Sequence, residues 1–174
     1  AGAGCATPPA PPVDPTTAQL ASTARAAYER RDHRRAAAFY EQALQRARAR
    51  DSREEISGLA YNLAACRLLL GQPDGVSALL TEARQERARA GQRPDDLDLL
   101  EANLLRATGK AEEAGALARR VAEATPTPAL ALDAWLLVGQ LATEARDAVA
   151  LEAALAKAGE QAGGLRGDAR SCPQ

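Results

Sequence analysis

The feature that most narrows what this chain can become is a recurrence. Short turns at Arg31, Gly71, Gly109 and Arg146 follow one another at intervals of 40, 38 and 37 residues. Five, nine and twelve residues after each turn stands a small or apolar residue: Ala36, Tyr40, Ala43; Val76, Leu80, Ala83; Ala114, Ala118, Val121; Leu151, Leu155, Ala158. Steps of four and three lie on one face of a helix. A period of this size is the mark of stacked helix pairs, in which one pair alone cannot bury its apolar stripe. The alternative is a plain bundle of four helix pairs whose periodicity is accidental.

Composition agrees with helices. Hydrophobic residues are 46% of the 174, aromatics only 3%, and Ala, Leu, Arg, Glu and Gln predominate, the strongest helix formers. Scarcity of β-branched residues argues against sheets. Helices are expected at about 17–31, 33–50, 52–71, 74–90, 95–108, 110–124, 128–145 and 147–162. Thr16 with Gln19, and Ser52 with Glu55, fit capping boxes. Gly71 with Pro73, and Gly91 with Pro94, place glycine at a helix end and proline beyond it. Five prolines between Pro8 and Pro15 mark residues 1–16 as an extended linker. The repeat domain is therefore read as 17–162, and the tail 163–174 as flexible.

Several segments resemble the tetratricopeptide repeat family. Tyr61 to Cys66, leading to Leu70-Gly71, is similar to the family's first helix and turn glycine. Gly109 to Ala114 is similar to its turn and signature alanine, Pro126 to its closing proline, and Trp135 to Gly139 to its tryptophan-led opening. The likeness covers about residues 18–160; Arg replaces the turn glycine in the first and fourth repeats, and the periods exceed the family's ~34 residues. The resemblance implies an all-α, right-handed α-solenoid of about four antiparallel helix pairs. It also implies a concave groove, lined by first helices, that holds a peptide or a partner helix. By the turn alignment that groove takes Arg25, Tyr28, Tyr61, Asn62, Asn103, Arg106 and Gln140. Tyr and Arg often carry interface energy, and Asn and Gln can pair with a peptide backbone; packing within the domain is the other role open to Tyr28 and Tyr61.

Gly2-Ala3-Gly4-Cys5, followed by the prolines, resembles the end of a bacterial lipoprotein signal, with Gly2 where that family prefers Leu. The resemblance implies a removed signal peptide, a membrane anchor through an acyl chain on Cys5, and a place on the periplasmic face of the outer membrane. A free Cys5 in a cytoplasmic protein is the alternative. Cys66 and Cys172 would then remain for a possible disulfide, although Cys66 alone suits a small buried position.

The sequence holds no phosphate-binding glycine loop, HExxH, CxxC or acidic calcium loop, so no catalytic residue, metal ligand, cofactor or small-molecule substrate is assigned. His33, the single imidazole, is read as a solvated turn residue. Asp95, Asp96 and Asp98 are read as partners of a helix N-terminus rather than an acid–base pair. Net charge is −1, which gives no global pull toward nucleic acid. Charge is uneven, however: residues 20–54 hold nine Arg against five acids, and residues 95–123 four bases against seven acids. The basic end, from Arg30–Arg35 and Arg46–Arg50, would steer an acidic partner or face anionic headgroups. The expected role is a non-enzymatic interaction scaffold supporting an outer-membrane or periplasmic complex. The alternatives are a regulator of peptidoglycan enzymes and a cytoplasmic regulatory module.

Overall fold

A computed structural model describes residues 14–170. Among them are eight helices and no strand: α1 (Pro15–Glu29), α2 (His33–Ala49), α3 (Arg53–Leu69), α4 (Val76–Arg89), α5 (Asp95–Ala107), α6 (Ala111–Ala124), α7 (Pro128–Glu144) and α8 (Ala148–Arg170). The fold is all-α. Each helix packs on its neighbour in sequence, with further contact between α3 and α5 and between α5 and α7.

The recurring turns have one backbone cause. Arg31, Gly71, Gly109 and Arg146 all lie in the left-handed region, at φ of 62°, 68°, 80° and 58°. There the chain leaves one helix, and the amide two residues past its last turn bonds back, as Asp32 N to Ala27 O (3.0 Å) and Lys110 N to Leu105 O (2.9 Å). This closure satisfies carbonyls that the helix end would otherwise orphan. Seven residues before each turn stands Ala24, Ala64, Ala102 or Gly139, all buried. Five residues after it stands Ala36, Val76, Ala114 or Leu151. In the fourth unit the outer residue is large and the inner one has no side chain. A Cβ on Gly139 would sit 3.6 Å from Leu151 Cδ1 and 3.8 Å from Ala154 Cβ. Both are ordinary van der Waals distances, so a small side chain would also fit there.

The +5, +9 and +12 positions are buried throughout the first three units. In the fourth, Leu155 is 53% exposed and Leu151 half-buried, because the described chain places no further helix over α8. Two apolar clusters make up the core. One runs from Ala24 to Leu97 across α1–α5, the other from Leu99 to Ala154 across α5–α8. Where they meet, α4 and α5 touch sparsely, and arginines bridge the seam. Arg84 Nη2 donates to Asp98 Oδ1 and Glu101 Oε2, both at 2.7 Å. Arg87 Nη2 donates to Asp96 Oδ2 at 2.8 Å, and Arg93 Nη2 to Ala124 O at 3.1 Å.

Several local expectations need correction. The first cap is Asp14, not Thr16: its carboxylate accepts from Thr17 N (3.2 Å) and Thr17 Oγ1 (2.9 Å), with Pro15 in the first turn, where its missing N–H costs nothing. Ser52 occupies the cap position of α3, but its side chain makes no capping bond. The helical domain does not stop at 162: α8 continues through Gly163-Gly164 to Arg170. Two glycines cost a helix about 1 kcal/mol each, less than is needed to stop one, and no proline intervenes before Pro173. His33 is a half-buried first residue of α2, its ring 5.2 Å edge-on from Tyr28. The tight turn presses the two rings together instead of leaving the imidazole in solvent.

Arg31 pays the steric cost of a Cβ in left-handed backbone, which glycine avoids at the equivalent Gly71 and Gly109. Arg31→Gly should stabilise the fold by about 0.5–1 kcal/mol, measured by chemical denaturation. Arg46 and Thr17 bond the Asp14 carboxylate and hold it at about 2, below its usual 3.8. The charged form is favoured in the native state, so its stabilisation is complete above about pH 4 and fades as pH falls toward 2. The melting-temperature difference between wild type and Asp14→Asn should accordingly shrink over that interval.

Candidate functional site

Counting back from the turns, the residues thirteen, ten, six and three places earlier form an i, i+3, i+7, i+10 stripe on each of α1, α3, α5 and α7. On α3 the stripe is Gly58, Tyr61, Ala65 and Leu68; on α7 it is Asp133, Leu136, Gln140 and Thr143. Tyr61 is half-buried on the α3 stripe. Burial pushes its phenol above the usual tyrosine value; Asp96, Tyr28 and Asp133 add to the shift and Arg87 opposes it. Groups from α1, α4, α5 and α7 thus act on one side chain of α3.

Arg87 organises this region. Its guanidinium lies 5.9 Å from the Tyr61 ring centroid, within cation–π range. Its Nε donates to Ser57 Oγ at 3.3 Å, and its fork takes both oxygens of Asp96. The last turn of α4 is thereby tied to α3 and α5 together. Beside it opens a cleft of about 480 Å³, lined by Arg87, Arg93, Asp96, Leu130 and Asp133 among others. Asp133 is exposed and pairs with no cation among the described residues. Tyr28 (39%), Leu69 (56%) and Leu136 (41%) are large apolar side chains left in solvent.

The seven residues expected in a groove are placed differently from one another. Arg25, Tyr28 and Gln140 are exposed on α1 and α7; Tyr61 and Asn62 are half-buried on α3. Asn103 and Arg106 have internal bonds. Asn103 Nδ2 donates to Leu99 O at 3.0 Å within its own helix, and Arg106 Nη1 meets Glu144 Oε1 at 2.9 Å across α5 and α7. Asp96, Asp133, Arg87, Leu69 and Leu136 were not in that set, although the turn register places Asp133 and Leu136 on the Gln140 stripe. The acids at the start of α5 do more than face the helix dipole: each of Asp95, Asp96 and Asp98 also has an arginine partner.

The basic end is also redistributed. Arg46 and Arg50 are matched by Asp14, and Arg48 Nε donates to Glu82 Oε1 at 2.8 Å. Cys66 is fully buried as a free thiol, its pKa pushed up to about 11 by burial, so it is inert as a nucleophile. Cys5 and Cys172 lie outside the described residues. No described helix is long and apolar enough to cross a membrane, and no cluster of three or more His, Cys, Asp or Glu among the described residues could hold a metal.

What the stripe region offers is recognition chemistry: half-exposed aromatic and aliphatic surface, flanked by carboxylates, guanidiniums and an amide. No protein-family model, curated protein or solved structure matches this chain.

Arg87→Ala should lower stability by about 1–2 kcal/mol, the usual loss for a partly buried charge-assisted network. It should also raise the phenol pKa of Tyr61 further, read by ultraviolet titration. A phenol that does not respond would separate Arg87 from the site.

Proposed function

We propose that this chain is a non-catalytic scaffold that grips another polypeptide along the shared face of α1, α3, α5 and α7. On this reading the eight helices form four antiparallel pairs in a right-handed, tetratricopeptide-like solenoid, and that face is its concave groove. The observation that carries the proposal is the exposure of Tyr28 on α1 and of Leu136 and Gln140 on α7 at matching places of the turn register, with Tyr61 half-buried on α3. A stack in which each helix touches only near neighbours leaves one face unfilled, and such faces in repeat proteins bind extended partners. Tyr61 and Leu136 supply apolar anchors, while Arg25, Gln140 and Asp133 supply polar contacts at the edge.

The lipoprotein-like start adds the setting. An acyl chain on Cys5 would hold the domain at a bacterial envelope membrane, with the prolines as a spacer, where it would support assembly of a periplasmic or outer-membrane complex.

A photo-crosslinking residue at Tyr61 or Gln140 in the cell should yield a discrete adduct with a single polypeptide, which Leu136→Glu weakens. The same residue at Ser77, exposed on α4, should give none. Equal labelling from Ser77 would remove the groove from the proposal. Separately, metabolic labelling with an alkynyl fatty acid should mark the protein and fail for Cys5→Ser; labelling that survives in Cys5→Ser would exclude the anchor.

A further inference from the structure

The α1–α2 turn carries charge that the rest of the molecule does not balance. Arg30, Arg31, Arg34 and Arg35 fall within six residues, and all four are exposed. None pairs with a carboxylate among the described residues. Six arginines on other elements differ: Arg46, Arg48, Arg67, Arg84, Arg87 and Arg106 each meet an acid on another helix or at its cap. Two acids share the stretch, Glu29 and Asp32. Asp32 is committed to capping α2, accepting from Arg35 N at 3.1 Å.

Stability does not explain this placement. Arg34 and Arg35 lie in the first turn of α2, which contains no acid, although the positive end of a helix favours anions. Arg31 keeps a side chain in left-handed backbone where two equivalent turns have glycine. Two features of one turn thus run against local preference, and both place exposed arginines there; the Arg35 guanidinium also lies 5.6 Å from the Phe39 ring centroid. Between α1 and α2 lies a cleft of about 340 Å³, lined by Ser22, Thr23, Arg30, Asp32 and Arg35.

We propose that this turn is a second docking surface, separate from the groove, which binds an acidic stretch of a protein partner. Forked guanidiniums match carboxylates in pairs, and the hydroxyl of Ser22 adds a donor in the cleft, that of Thr23 being given to Gln19 O at 2.9 Å. The patch is too small, and the whole chain too near neutrality, for the counterion-driven affinity that a nucleic acid needs. A peptide, unlike a flat headgroup layer, can enter the cleft beside these arginines.

The test uses the full chain and a fluorescein-labelled twelve-residue peptide of alternating Glu and Ser, followed by anisotropy. Binding should be clear at low salt and weaken steeply as salt shortens the screening length. Arg30→Ala with Arg34→Ala should raise Kd at least about tenfold. Arg119→Ala with Arg120→Ala, two exposed α6 arginines also without a carboxylate partner among the described residues, should change it less than about twofold. Arg31→Gly should raise the unfolding midpoint yet weaken peptide binding, a combination that damage to the fold does not give. The proposal is overturned if both double variants lose affinity alike, or if a Gly-Ser peptide binds equally well. It is also overturned if phosphatidylglycerol vesicles, and not the peptide, bind in an Arg30- and Arg34-dependent way.

Discussion

The constraint on which the rest of the structure depends is the burial of one compact residue on either side of a left-handed turn. Ala24 and Ala36, Ala64 and Val76, and Ala102 and Ala114 are all fully buried, each pair on consecutive helices that pack together, and the turn sets the register in which they do so. A bulky residue at either place would push the helices apart and lift the +9 and +12 side chains out of their pockets. In the fourth unit the same two places hold Gly139 and Leu151, close enough that a Cβ on Gly139 would touch Leu151 Cδ1 at 3.6 Å. A left-handed backbone position is likewise what the turn requires. Glycine adopts it readily, and two arginines adopt it at some cost.

Most of this was legible in the chain before any coordinates. Turn spacing located all eight helices, to within a few residues at every boundary but the C-terminal end of α8, because Gly71, Gly109 and the Thr125–Pro128 stretch punctuate unmistakably. Arg31 and Arg146 were aligned with those glycines on spacing alone, and their φ values agree. What the sequence hid was competition between equivalent groups. Thr16 and Asp14 both suit a helix cap; Asp14 prevails because Arg46 and Arg50 from α2 stand ready to bind its charge, a tertiary fact. The Gly163-Gly164 pair read as a stop, yet a helix that began at Ala148 continued through it.

The site was less legible than the fold. Periodicity identifies a face but not which of its residues are already engaged. Asn103 and Arg106 fall on the right stripe and are held by Leu99 and Glu144, whereas Asp133 and Leu136 on the next stripe are unengaged. Arg87 could not be found from the first-helix pattern at all, because it comes from the end of α4. Its signal was indirect: an arginine nine residues before Asp96, across a short loop, is within reach of a bidentate pair.

The divided core has a mechanical consequence. Apolar side chains weld α1–α4 into one body and α6–α8 into another, with α5 giving Leu97 to the first and Leu99 and Ala102 to the second, while guanidinium–carboxylate links lace the end of α4 to the start of α5. Such links resist separation but permit small rotations, since water can enter and leave around them at little cost. Flexing at this junction would move Asp96 and Asp133 relative to Tyr61, altering the width of the surface between the two bodies. The protein would then be stiffest in dilute buffer and more compliant in brine, its grip adjusted by the ions around it.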